Sequence, residues 1–171
     1  MYTFVVETGE GLDNATSYAA TADVNTFATF WGYSDWTLLD EEDKETLLIK
    51  ATRLLDESFT FASTRLVETQ SLAWPRGAFK DTDGRLIEGI PAEIVDAVSE
   101  IAILLENYSQ DDLNDIRYVI RQQFGDSEDE YSAPVMMNSN PFFIAFSRIA
   151  NRLKKYGYGG GSMRQVRLLR G

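Results

Sequence analysis

Hydrophobic residues recur at helical spacing in four separated runs along this chain. Val24, Phe27, Ala28 and Trp31 fall at i, i+3, i+4 and i+7, the stripe of an amphipathic helix. Thr21 reads as its N-cap and Gly32 as its stop. Asp40 is placed to cap a second helix, with Glu41, Glu42 and Asp43 against the positive end of the helix dipole. Its inward stripe is Leu47, Leu48, Ala51, Leu54, Leu55 and Phe59. Pro91 suits the first turn of a third helix, where a missing N–H costs nothing. Ile94, Val95, Val98, Ile101, Ala102 and Leu105 supply the buried face of that helix, which runs to about Tyr108. The last run spans about Pro141 to Tyr156, with Phe142, Phe143, Phe146, Ile149, Ala150 and Leu153 on one side.

Between these runs the period changes. Residues 2–6 are β-branched and aromatic and predict a short strand or extended arm. Gly9-Glu10-Gly11 and Asp13-Asn14 mark a turn-rich loop. Residues 60–90 carry Pro75, Gly77, Gly84 and Gly89 with no sustained period, the signature of a working loop or of one that covers another surface. Ile116, Tyr118 and Ile120 alternate ahead of Gly125-Asp126, which predicts a β-hairpin near 115–132, with a helix over 111–124 as the alternative. Gly157-Tyr158-Gly159-Gly160-Gly161-Ser162 reads as a flexible joint. The expected fold is mainly α: a small helical bundle with a β-hairpin insertion and an extended C-terminal arm. Residues 1–156 form the helical domain, and 157–171 the joint and arm.

Charge sharpens this division. The chain has 171 residues and a formal charge of −11. Residues 1–140 hold 9 Lys/Arg against all 27 Asp/Glu, a balance of −18, whereas residues 141–171 hold 7 Lys/Arg and no acid. A basic tail on an acidic body predicts an arm that seeks a negative surface, on protein or nucleic acid. The start of the chain lacks the basic residues and apolar run of a secretory signal, and no apolar stretch approaches the ~20 residues of a membrane span. The expectation is a soluble protein kept inside a cell, or built into a particle assembled there, with no membrane partner.

The chain contains no Cys and no His, which removes thiol nucleophiles, His-based triads and Cys/His zinc sites. Asp81-Thr82-Asp83-Gly84 lacks the further ligands of a calcium loop and reads as an Asp-Gly turn. Glu128-Asp129-Glu130 reads as a solvated turn or strand, and Gly159-Gly160-Gly161-Ser162 lacks the Lys-Ser/Thr ending of a phosphate loop. No catalytic residue, metal ligand or cofactor site emerges, so a non-enzyme is expected. Leu72-Ala73-Trp74-Pro75-Arg76 differs in kind. A Trp-Pro pair restricts the backbone and presents a large ring beside a cation. Trp74 either plugs the core or stands out as an anchor, with Pro75 and Arg76 in packing or in contact with another subunit.

Several of these segments together resemble a group of tailed-phage proteins. They include Val6-Glu7-Thr8-Gly9 with Gly11-Leu12, Asn14 and Ser17-Tyr18, and Leu48-Ile49-Lys50-Ala51-Thr52 with Leu55-Asp56. Leu72-Ala73-Trp74-Pro75-Arg76, Asp83-Gly84, Ile90-Pro91, Glu130-Tyr131 and the Gly-rich, Arg-containing tail complete the set. The group comprises small helical head-completion proteins, the head–tail connectors or adaptors, some labelled DnaT-like single-stranded DNA binding. The resemblance implies a structural virion protein that assembles as a ring, typically of twelve copies, under the portal protein. Such a ring extends the channel for genomic double-stranded DNA without sequence-specific binding and offers a platform for tail or stopper proteins. It would be assembled in the host cytoplasm and sit at the virion neck. The resemblance carries portal binding to the arm, with Arg164, Val166, Arg167, Leu168 and Arg170 as its contact residues. An arm of this pattern can add as a strand to a partner's sheet edge, while arginines pair with carboxylates. The alternative function is a single-stranded DNA-binding module.

Overall fold

Capping chemistry sets where the helices begin. In the computed structural model, which describes residues 3–81, 83–108 and 141–159, helix α1 spans Thr21–Trp31 and α2 spans Glu41–Ser58. Asp40 accepts the Asp43 N–H at 2.9 Å, the cap that the sequence predicts. Thr21 is the first helical residue rather than the cap. Ala20 holds the cap position, and the Asp23 carboxylate accepts its N–H at 2.9 Å. Gly32 ends α1 in the left-handed region, φ 79°, where a side chain would be strained. Helix α3 spans Ala92–Leu105, with Pro91 as its extended N-cap, so it starts one residue later and ends three earlier than the apolar pattern suggests. Helix α4 spans Pro141–Leu153, and a 3-10 turn, Lys154–Tyr156, completes the predicted run.

Helix α3 is the spine and packs against α1, α2 and α4. Ile94, Val98, Ile101, Ala102 and Leu105 are buried, as are Ala97 and Ile103, so this helix is covered on nearly every side. Each fully buried Leu or Ile is worth roughly 1.5–3 kcal/mol before entropy. In α2, Leu48, Ala51, Leu54 and Leu55 are buried, and Phe59 is buried just past the helix end. All six apolar residues predicted for α4 are buried. Trp31 departs from its predicted role. Only Val24 and Ala28 of the α1 stripe are buried, and Trp31 is 62% exposed. It is the last residue before the Gly32 stop, and the helix ends before a neighbour covers it.

Among the described residues, two short antiparallel pairs complete the mainly α fold. Strand β1 (Phe59–Phe61) pairs with β4 (Gly157–Gly159), and β2 (Thr64–Arg65) pairs with β3 (Arg76–Gly77). The predicted joint therefore begins as a strand of the body. A Cβ on Gly157 would lie 2.7 Å from Phe61 Cα, so the close pairing requires glycine there. Near the start, an isolated parallel bridge joins Val6 to Ser17 in place of a regular strand. The predicted hairpin at 115–132, its helical alternative at 111–124 and the arm beyond residue 159 lie outside the described residues. Among the described residues no helix is long and apolar enough to cross a membrane.

Candidate interaction surfaces

The Trp74 loop resolves inward. The indole is fully buried and meets Phe61, Phe79 and Tyr156 edge-on, with ring centroids 5.9, 5.4 and 5.6 Å away. Its ring joins the loop to β1 and to the end of the α4 segment, which makes it a core plug. The Trp74–Pro75 peptide bond is cis. Gln70 is buried inside the same loop; its Nε2 donates to the Leu72 and Pro75 carbonyls at 2.8 and 3.1 Å. Arg76 is half-buried, donates to the Ser63 carbonyl at 3.0 Å and lies over the Phe61 ring. Of the predicted loop motif, then, Trp74 packs inside and Arg76 braces the loop against β1.

Two carboxylates from the motifs named above, Glu7 and Asp56, to which the sequence reading gave no role, hold the same region together. Glu7, nearly fully buried, accepts N–H bonds from Gly9, Gly11 and Leu12 at 2.9, 3.0 and 2.9 Å. An acid followed by glycine at +2 and +4 was the available signal, since those glycines let the backbone curl around the carboxylate. Gly9 and Gly11 both have positive φ. Asp56 accepts from Tyr18 Oη at 2.7 Å and from the Ala73 N–H at 2.9 Å, while Tyr18 Oη accepts the Trp74 N–H at 2.9 Å. Burial drives Asp56 up to about 6, despite those hydrogen bonds, which favour its charged form. Burial first, then the charge of Asp56, pushes the Tyr18 phenol well above its ordinary value. This buried relay locks the N-terminal loop, α2 and the Trp74 loop into one unit.

The accessible candidate lies elsewhere, where α1 passes into α2. Phe30, Trp31 and Leu38 are 79, 62 and 83% exposed, and Tyr33 stacks on Phe27 with centroids 6.4 Å apart. Phe27, Phe30, Trp31 and Tyr33 line one side of a groove of about 1040 Å³, with Asp23, Val95, Asp96 and Glu100 and with Arg148 and Arg152 of α4. Arg152 pairs with Glu100 at 2.9 Å inside it. Next to it, hydrogen bonds from Lys155 and then Tyr156 hold Glu93 down at about 2, while burial and the Glu93 contact lift Tyr156 to about 12. Asp81 turns its carboxylate to the Asp83 and Arg85 amides, 2.9 and 2.8 Å away, the geometry of an Asp-Gly turn. Among the described residues no group of three or more acidic side chains is placed to hold a metal ion. Arg164, Val166, Arg167, Leu168 and Arg170 lie outside the described residues.

Residues 2–171 match the family described as "Putative DnaT-like ssDNA binding protein", and the chain belongs to that family. No curated protein and no solved structure matches it.

Proposed function

We propose that this protein is a structural component of a virion, a head-to-tail adaptor that forms a ring of its own copies under a portal protein. The ring extends the channel for genomic DNA and presents a platform to tail or stopper proteins. It works by binding, with no catalytic step and no cofactor, at the neck of the particle. The observation that carries this reading is the division of charge. All 27 acids fall in residues 1–140, and seven cations without an acid fall in residues 141–171. A negative body suits a wall past which DNA slides, because a basic wall would bind phosphate and release counterions. A cationic end suits attachment to a neighbouring assembly, and a ring multiplies weak single contacts steeply. The exposed aromatic corner at Phe30 and Trp31 supplies a surface for protein contact.

The test is removal of residues 160–171, which leaves β4 and its pairing with β1 in place. The truncated protein is expected to fold with unchanged melting and to lose its attachment to portal-bearing heads in a sedimentation assay. Attachment of the truncated form with unchanged affinity overturns the role of the arm.

The family description favours a second reading, a single-stranded DNA-binding module. Such modules set aromatic platforms in a cationic groove. Fluorescence anisotropy with a labelled oligonucleotide separates the two readings. Salt-dependent binding that survives removal of residues 160–171 selects the DNA-binding module.

A further inference from the structure

Helix α2 has groups of opposite charge at its two ends. Past its C-terminal end, Arg65 of β2 and Arg76 of β3 stand directly opposite each other across the strand pair, an arrangement in which like charges repel. Each guanidinium has five N–H groups and spends one on a backbone carbonyl, Arg65 on Gln70 at 3.3 Å and Arg76 on Ser63 at 3.0 Å. Arg76 Nε is buried without a partner. Asp56, in the last turn of α2, feels both charges, but its oxygens are taken by Tyr18 and the Ala73 N–H. Among the described residues no carboxylate forms an ion pair with either arginine, the exposed Glu68 of the same loop included. Ser63 and Ala78, the two non-glycine residues there with positive φ, 67° and 52°, flank one end of this strand pair, and strained backbone of that kind gathers at ligand clamps.

The other end of α2 is anionic. Glu41, Glu42 and Asp43 are exposed near the exposed Asp35, and none of the four is in an ion pair among the described residues. Lys44, the one cation in residues 34–49, is buried. The 18 residues of α2 hold the two ends about 27 Å apart, and neither end lines the aromatic groove. We propose that Arg65 and Arg76 of one copy clamp the acidic start of α2 of a second copy, at Glu41 and Glu42, in a head-to-tail contact.

Charge and apolar surface together argue for this occupant. Open guanidinium N–H groups pair with carboxylate or with phosphate. The arginines are flanked by Leu66 and Val67, 49 and 37% exposed, which offer nothing to a phosphate backbone. The acidic start of α2 carries Leu38, 83% exposed and two residues before the Asp40 cap, so carboxylate and apolar group arrive together. Acid against acid and arginine against arginine repel, which leaves the head-to-tail orientation favoured. A contact between two different patches leaves one of each open on every pair, so assembly continues until a ring closes or a filament grows. Each such contact is weak and screened by salt, and closure multiplies it. The inference deepens the adaptor reading and rests on it for that closure.

The full-length chain is measured by multi-angle light scattering over a concentration series, at low and at high salt, beside three variants. The clamp variant carries Arg65→Glu at an exposed position. The acidic-end variant carries Glu41→Lys and Glu42→Lys and keeps the Asp40 cap. The third variant combines all three changes. The unaltered chain is expected to pass from monomer to multimers larger than a dimer, and less readily at high salt. The clamp and acidic-end variants are expected to melt as the unaltered chain does and to associate roughly tenfold more weakly. The combined variant is expected to associate more strongly than either, because the exchanged charges again oppose each other across the contact. The proposal is overturned by an unaltered chain that stays monomeric to its solubility limit, by a clamp or acidic-end variant that multimerises as before, or by a combined variant no stronger than the other two. Binding of a labelled single-stranded oligonucleotide that Arg65→Glu abolishes also overturns it, by assigning the arginines to phosphate. Multimers of the expected kind that fail to join portal-bearing heads would sink the adaptor reading alone. Heads decorated by the chain without contact between copies would sink this inference alone.

Discussion

Replacing Trp74 by alanine tests whether the loop between β2 and β3 is anchored by its core plug. The indole is fully buried against Phe61, Phe79 and Tyr156, from three separate stretches of chain, so no single neighbour can collapse into the space it leaves. Truncation of such a side chain costs about 3–5 kcal/mol. For a chain of this length that corresponds to a fall in Tm of roughly 10 °C. Thermal melting followed by far-UV circular dichroism reads the effect directly. Trp74→Phe makes the test sharper. The indole Nε1 is buried without a hydrogen-bond partner, so phenylalanine loses ring area but no bond, and the expected cost is only about 1–2 kcal/mol. If Trp74→Ala melts within about 1 kcal/mol of the unaltered protein, the ring does not hold the loop in solution.

Glu7→Gln keeps the shape of the side chain but replaces an accepting oxygen with an NH₂ group among the N–H donors of Gly9, Gly11 and Leu12. Urea unfolding should show a loss of about 1–3 kcal/mol, and an unchanged midpoint would refute the carboxylate's part in folding that loop. Asp56 is raised from an ordinary 3.8 to about 6, so the folded protein holds this proton more tightly than the unfolded chain does. Its stabilising contribution is fully present below 3.8 and is lost as pH rises through 6, an amplitude of about 3 kcal/mol. The gap in stability between the unaltered protein and Asp56→Asn should therefore move in favour of the unaltered protein as pH falls from 7 to 4. A gap that stays constant across that range would show that the carboxylate titrates normally.

The helices were legible because burial imposes a period, and the stripes of α2, α3 and α4 are the residues the core encloses, save the half-buried Leu47 and Val95 at its edge. Trp31 shows where that reasoning stops. Its spacing places it on the stripe, but spacing cannot say where the neighbouring helix ends, and the residue stands in solvent. The glycines of β4 carry no strand signature of their own. They pair because Phe59–Phe61, nearly a hundred residues earlier, presents an open edge. The same distance effect hid the buried relay, since Tyr18 and Asp56 are 38 residues apart and neither has a local reason to meet the other. Trp74 could be read either way from sequence, because a Trp-Pro pair constrains the backbone without fixing which side of it faces the core.

Any account of nucleic-acid binding by this chain has to pass through its electrostatics. The surface does offer rings that a base could stack on, Phe30 and Trp31 above all. Stacking accounts for only part of single-strand affinity; the remainder comes from cations that neutralise phosphate and release counterions. Asp23, Asp96 and Glu100 line the groove that these rings share with Arg148 and Arg152, on a body whose first 140 residues carry −18. A strand laid across the corner would set its phosphates against those carboxylates, at a cost that grows as salt is lowered, the reverse of the usual salt dependence. The cations that could serve it are in residues 141–171. Four of them, Arg148, Arg152, Lys154 and Lys155, precede the arm to which the adaptor reading assigns attachment to the portal, so single-strand binding can outlast the removal of that arm. Removal of residues 160–171 bears on both readings.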